Sequence, residues 1–132
     1  MRPTEIRAVA LYQLGALSAF LRAEGEGTGH VKAHGALYFR IHGDAEAASA
    51  FCRAVQTFAP GSRLMVLAGP AGNEVAAVAA GLGLRVLREA FPERGYADDG
   101  LLAARELPGS SVHDPAEAAR RALGHWAWRG VR

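Results

Sequence analysis

The sequence predicts an α/β fold, a parallel sheet with flanking helices, and three observations carry that reading. Helical stripes alternate with short apolar runs along the chain. The run Leu64-Met65-Val66-Leu67-Ala68 is continuously apolar, as strands covered on both faces are. Each connection between runs is long enough to hold a helix, which parallel neighbours require. With 132 residues, 50% of them hydrophobic, the chain suits a single domain, 1–132, with a true core.

Pro3 opens a first helix, where its missing N–H costs nothing. Ile6, Val9, Ala10, Leu14, Leu17, Phe20 and Leu21 recur at helical spacing and are expected to face the core. Gly25, Gly27 and Gly29 end that helix and lead into a strand at His30-Val31-Lys32. Asp44 is placed to cap a second helix reaching about Phe58, with Ala47, Ala50, Phe51, Ala54, Val55 and Phe58 inward, before Pro60-Gly61 stops it. A strand over 64–68 follows. Gly69-Pro70-Ala71-Gly72 breaks it, and Asn73 is expected to cap a short helix to about Ala80. A third strand is expected over 84–87, ending at Arg88-Glu89. From 91 to 113 periodicity is lost over a stretch too long for an idle connection. Asp114-Pro115 then starts a last helix with Ala118, Ala119, Ala122 and Leu123 inside.

Fifteen Lys and Arg against thirteen Asp and Glu leave a net charge of only +2, and the arginines are scattered, so no basic stripe for nucleic acid is present. Cys52 is the single cysteine, which excludes an internal disulfide and a cysteine-based zinc site. The apolar segments are interrupted well short of a membrane span and the first residues carry no signal-peptide pattern, so a soluble cytoplasmic protein is expected.

The densest chemistry lies in His30-Val31-Lys32-Ala33-His34-Gly35-Ala36-Leu37-Tyr38. Strand alternation sends Lys32 and His34 to one side and Val31 and Ala33 to the other. A fixed cation then stands beside a group that titrates near neutral pH, and Gly35 lets the backbone turn immediately afterwards. The bland counterpart is a solvated His–Lys rim with Tyr38 in the core. Parallel sheets bind ligands beyond the carboxyl ends of their strands, where Lys32, His34, the 69–72 turn, Arg88 and Glu89 all fall. The 69–72 turn lacks the Lys-Ser/Thr of a phosphate loop. Asp98 and Asp99 before Gly100 read as turn residues. His42, His113 and His125 have no partner at ligand spacing and read as surface or capping histidines, so no metal ligands are assigned. Trp126 and Trp128 are expected to cover apolar surface, against another chain in a homo-oligomer.

Within His30–Tyr38, Val31-Lys32-Ala33-His34-Gly35-Ala36-Leu37-Tyr38 resembles the VKPHGALY signature of the LamB/YcsF family. The block from Arg88 to Tyr96, followed by Asp99-Gly100 and Arg105, is similar to the family's REVFADRxY…DGxLVPR, and Tyr12-Gln13-Leu14-Gly15-Ala16-Leu17 to its YQLGAL helix. The three blocks occur in the family's order and cover nearly the whole chain. Ala33 and Ala104 stand where the family has Pro, and Phe39 where it has Asn. The family's opening Asp-Leu-Asn strand, its Phe-His-Ala-Gly and His-Pro segments and its closing Cys-x-His-Gly-Asp strand have no counterpart. The expectation is therefore an internal, truncated portion of a family member, forming an arc of an irregular (β/α) barrel.

The resemblance implies the A subunit of an ATP-dependent 5-oxoprolinase, which hydrolyses the cyclic amide 5-oxoproline to glutamate while its partner B and C subunits use the ATP. It implies Lys32, His34 and Glu89 as catalytic residues and Arg94, Tyr96, Arg105 and Tyr38 as substrate-binding ones. Lys32 would stabilise developing negative charge. His34 and Glu89 would exchange protons with the water and the leaving nitrogen. Arg94 or Arg105 would hold the substrate carboxylate. The truncated chain alone is expected to be inactive, and the rival reading is a non-catalytic paralogue serving as a binding or assembly module.

Overall fold

The computed structural model describes residues 1–127, and for 125–127 the backbone only; the side chains of His125 and Trp126, and all of Trp128, lie outside the described residues. The elements run α1 (Pro3–Ala23), β1 (His30–Lys32), α2 (Ala36–Gly43), α3 (Ala45–Phe58), β2 (Arg63–Leu67), α4 (Pro70–Gly81), β3 (Arg85–Glu89) and α5 (Pro115–Ala127). The strands form one parallel sheet in the order β1-β2-β3. Sequential order with a helical segment in each crossover is what the expected arc requires.

Register decides which side chains share a face. Lys32 aligns with Met65 and Met65 with Leu87, while Leu67 aligns with Glu89. Side chains two apart on a strand share a face, so Lys32, Met65, Leu67, Leu87 and Glu89 all project to one side. The other side, with Val31, Leu64 and Val66, is closed by the helical layer. Lys32 and Met65 remain only half-buried. The core is built from Ile6, Ile41, Phe51, Val55, Leu64, Val66, Leu67 and Val75.

Several local expectations change. Residues 36–43 form a helix, α2, that the sequence does not announce: it has eight residues and no side-chain cap, only Gly35 at φ +59°. Asn73 lies inside α4, which starts at Pro70 after Gly69 at φ +94°. Arg88 and Glu89 belong to β3 and do not follow it. On α1, Ile6 and Ala10 are buried, but Val9, Leu17 and Phe20 are exposed, because α3 meets only one side of the helix. Ala119 and Leu123 on α5 are likewise exposed.

Other expectations hold. Asp44 Oδ1 accepts from the N–H groups of Glu46 and Ala47, the cap expected for α3. Asp114 does the same for Ala116. Cys52 is fully buried, and burial pushes its thiol up to about 11, a packed core residue.

Candidate functional site

The site is assembled at the carboxyl end of the sheet, on the face carrying Lys32. Lys32 and Glu89 stand on β1 and β3 with β2 between them, a gap of about 9–10 Å between strand axes. Two long side chains pointing the same way close that gap: Lys32 Nζ lies 2.6 Å from Glu89 Oε2. The pair is only 20% and 14% exposed, so its charges are little screened. The ammonium sits 5.1 Å from the Phe91 ring centroid and 5.6 Å from that of Tyr38, two aromatic walls that favour a cation.

Tyr38 comes from the first turns of α2, brought there by the Gly35 turn, and is 5% exposed. Burial, and then the Glu89 carboxylate, raise its phenol well above the ordinary range. Its hydroxyl leans on the Glu89 carboxylate, and neither it nor Glu89 Oε1 makes a well-aligned hydrogen bond among the described residues. Tyr96 lies in the same neighbourhood; its hydroxyl oxygen accepts the Phe91 N–H at 2.8 Å, and burial foremost raises its ionisation.

His42, expected at the surface, is 4% exposed, because α2 turns it inward one turn after Tyr38. Leu67 N–H donates to its Nε2 at 2.9 Å, so the proton is on Nδ1, which donates to the Tyr38 carbonyl at 2.7 Å. One neutral imidazole thus ties the helix carrying Tyr38 to the end of β2. Burial is the main cause of its lowered basicity.

The remaining expected site residues separate. His34 stands exposed on the turn just after Lys32. Arg94 is 7% exposed; its Nε donates to the Ser110 carbonyl at 3.1 Å and its Nη2 to the Ala103 carbonyl at 2.6 Å. The side-on edge that would grip a substrate carboxylate is therefore occupied, and Arg94 pins the 91–113 loop. That loop is ordered by antiparallel bridges Arg94–Ser111 and Tyr96–Leu102. Arg105 is exposed on it, and its carbonyl accepts from Ser110 Oγ. Asp99 Oδ1 accepts from Leu101 N–H, the turn role expected of it.

The 69–72 turn is a packing device. A Cβ on Gly72 would lie 1.6 Å from the Leu67 carbonyl oxygen, and the Gly72 N–H already donates to the Gly69 carbonyl. It offers no phosphate cradle. Beside it, a cavity of about 490 Å³ opens between Gly69, Ala90, Tyr96, Asp98 and Arg121, at the carboxyl ends of β2 and β3. Phe91 and His42 are the two contributors that sequence reasoning missed. The i to i+4 spacing of Tyr38 and His42 reveals the second only once residues 36–43 are known to be helical.

The fold and site define a parallel α/β domain presenting an aromatic-walled ion pair beyond its strand ends. The LamB/YcsF family pattern matches residues 1–131, and the chain belongs to that family. It is 64% identical over 94% of its length to a protein of Deinococcus radiodurans named as the A subunit of 5-oxoprolinase, and 54% identical over 93% to one of the same name from Thermus thermophilus. It spans 48% of each. A crystal structure of a Thermus thermophilus protein, described as a lactam utilization protein, superposes with a TM-score of 0.81 at 52% identity, covering 93% of this chain and 49% of that one. The chain thus spans about half the length of the relatives it matches.

Proposed function

We propose that this chain supplies part of the ring-opening site of a 5-oxoprolinase, acting on the cyclic amide 5-oxoproline to yield glutamate. The observation that supports it most is the Lys32–Glu89 pair at 2.6 Å on the carboxyl rim, in a chain 64% identical to a protein named as the A subunit of 5-oxoprolinase. Opening a lactam requires stabilising negative charge on the carbonyl oxygen, adding water and protonating the departing nitrogen. Lys32 supplies the positive charge, at the cost of loosening its hold on Glu89. Glu89 and His34 move the protons, Glu89 from within the site and His34 from its exposed edge. Tyr38 and Tyr96 shape the wall. Arg105 is the remaining candidate of the two arginines for the substrate carboxylate, since Arg94 is engaged by the loop.

ATP does not fit the 69–72 turn, whose Gly72 amide is engaged and whose Cα presses on Leu67. Its use falls to the partner B and C subunits in this reading, and no residue of this chain is assigned to it. The working compartment is the cytoplasm, and among the described residues no helix is long and apolar enough to cross a membrane. A second reading, an assembly or binding module without catalysis, is favoured by the open side of α1, where Tyr12 and Phe20 are exposed.

The deciding experiment is ATP-dependent conversion of 5-oxoproline to glutamate, with the B and C subunits and either this chain or a family-length form. Turnover with the family-length form and little or none with this chain alone is expected. No turnover in either would leave the assembly reading standing and end the hydrolase one.

A further inference from the structure

A second cavity, of about 300 Å³, opens at the amino end of the sheet, the end opposite Lys32 and Glu89. Helices α1 and α3 both finish beside it, at Ala23 and Phe58, so the negative ends of two helix dipoles converge there. Helix α3 carries no basic residue in its last turn to offset its share. Ser18 and Ser62 line the inner part and are only 8% and 4% exposed. Each hydroxyl already donates at 2.9 Å, Ser18 to the Gly15 carbonyl and Ser62 to the Ala59 carbonyl, so both can only accept from a ligand. The inner part of this cavity suits a donor that carries positive charge.

We propose that this cavity binds a small free α-amino acid with an apolar side chain, its ammonium turned inward and its carboxylate held at the mouth. Glu26 and Arg22 line the exposed mouth with opposite charges, and among the described residues neither side chain has an ion-pair or hydrogen-bond partner. Glu26 adds to the pull on an ammonium, and the Arg22 fork matches a carboxylate. Arg85 Nη2 lies 3.4 Å from the carbonyl of Gly61, a lining residue, and brings a second cation toward the carboxylate. Leu21 and Phe58, both half-buried, supply an apolar wall for the side chain. A plain amine leaves Arg22 unused, and a plain carboxylate meets Glu26 and two negative helix ends. A zwitterion satisfies both halves.

Helix stabilisation alone does not account for this arrangement. Arg22 sits in the last turn of α1, where a cation offsets that helix's own dipole. That role explains Arg22 and leaves Glu26, the two acceptor hydroxyls and the uncompensated end of α3 without a purpose. The volume is at the small end of ligand pockets, which suits an amino acid and excludes a nucleotide. The site uses neither Lys32 nor Glu89, so it goes beyond the hydrolase reading and is tested independently of it.

The test is a titration of the 132-residue chain at neutral pH, followed by amide NMR shifts. The probes are L-valine, isobutylamine (valine without its carboxylate), N-acetyl-L-valine and 3-methylbutyrate (both without the ammonium), and potassium chloride. L-valine should shift amides within 18–28 and 58–62 and leave those of Lys32 and Glu89 in place. N-acetyl-L-valine and 3-methylbutyrate should bind about tenfold more weakly or worse. Glu26→Gln should weaken L-valine and isobutylamine by a similar factor, whereas Arg22→Gln should weaken L-valine and leave isobutylamine unchanged. Both side chains are exposed, so neither change disturbs the core. No binding of L-valine, equal binding of its N-acetyl form, or unchanged L-valine affinity in Glu26→Gln would each overturn the proposal. The same shifts produced by potassium chloride would make the cavity an inorganic cation site and overturn it as well.

Discussion

Lys32 Nζ and Glu89 Oε2 lie 2.6 Å apart although 57 positions separate the residues and a whole strand stands between them. The contact exists because parallel register places Lys32, Met65 and Leu87 in line and Glu89 one pleat further along the same face. Removing either partner leaves a poorly solvated charge, so Lys32→Met and Glu89→Gln should each destabilise the chain by about 1–3 kcal/mol. The double variant should lose less than the sum, with a coupling of about 1 kcal/mol or more by urea denaturation. Additive losses would mean that the pair contributes nothing as a pair.

His42 makes stability depend on pH in a definite direction. Burial holds its folded value below the ordinary 6.5, against the opposing pull of the Tyr38 carbonyl and the Glu89 charge. The unfolded chain therefore takes up that proton first on acidification. The contribution is fully present above about pH 6.5 and is lost as pH falls through the folded value. Urea midpoints between pH 7.5 and 5 should fall more steeply for the native chain than for His42→Gln. Parallel curves would show that the imidazole is not kept neutral by the fold.

Glycine positions should respond in opposite directions. Gly72→Ala pushes a Cβ to within 1.6 Å of a backbone oxygen that cannot rotate away, and a loss of about 3 kcal/mol or more is expected. Gly15 lies mid-helix in α1 with nothing within 4 Å of its built Cβ, so Gly15→Ala should gain about 0.5–1 kcal/mol. Thermal melts of the two variants check both signs.

Arg94 should prove irreplaceable by lysine. Its guanidinium reaches the carbonyls of Ser110 and Ala103 at once, from opposite parts of the 91–113 loop. A single ammonium cannot copy that fork. Arg94→Lys should speed hydrogen exchange at the Gly95, Ala103 and Val112 amides, whose acceptors lie within the loop. Unchanged protection there would show that the loop holds itself.

His34 is exposed on the rim and makes its contribution, in the proposed reading, only to proton transfer. In the family-length form assayed with its partner subunits, His34→Ala should lower kcat by about a hundredfold or more and raise KM less. A change confined to KM would make it a binding residue.

Local chemistry determined much of this protein from its sequence. The Asp44 and Asp114 caps and the turn at Asp99 follow from spacing and residue type, because each is decided by contacts within a few residues, and the apolar run of β2 with its helix-length connections pointed to the parallel order. The blocks around Lys32 and Glu89 also pointed to one rim. Which atoms meet there was decided only by tertiary structure. Arg94 carries the same charge in either role, and only the return of the 91–113 loop spends it on carbonyls instead of a ligand. His42 reads as a surface histidine until α2 rotates it under Tyr38 and β2 supplies an N–H. Phe20 fits the apolar stripe of α1 as well as Ile6 does, yet a helix buries only the side another element reaches. Periodicity fixes which residues share a face; long-range register and packing decide what each face meets.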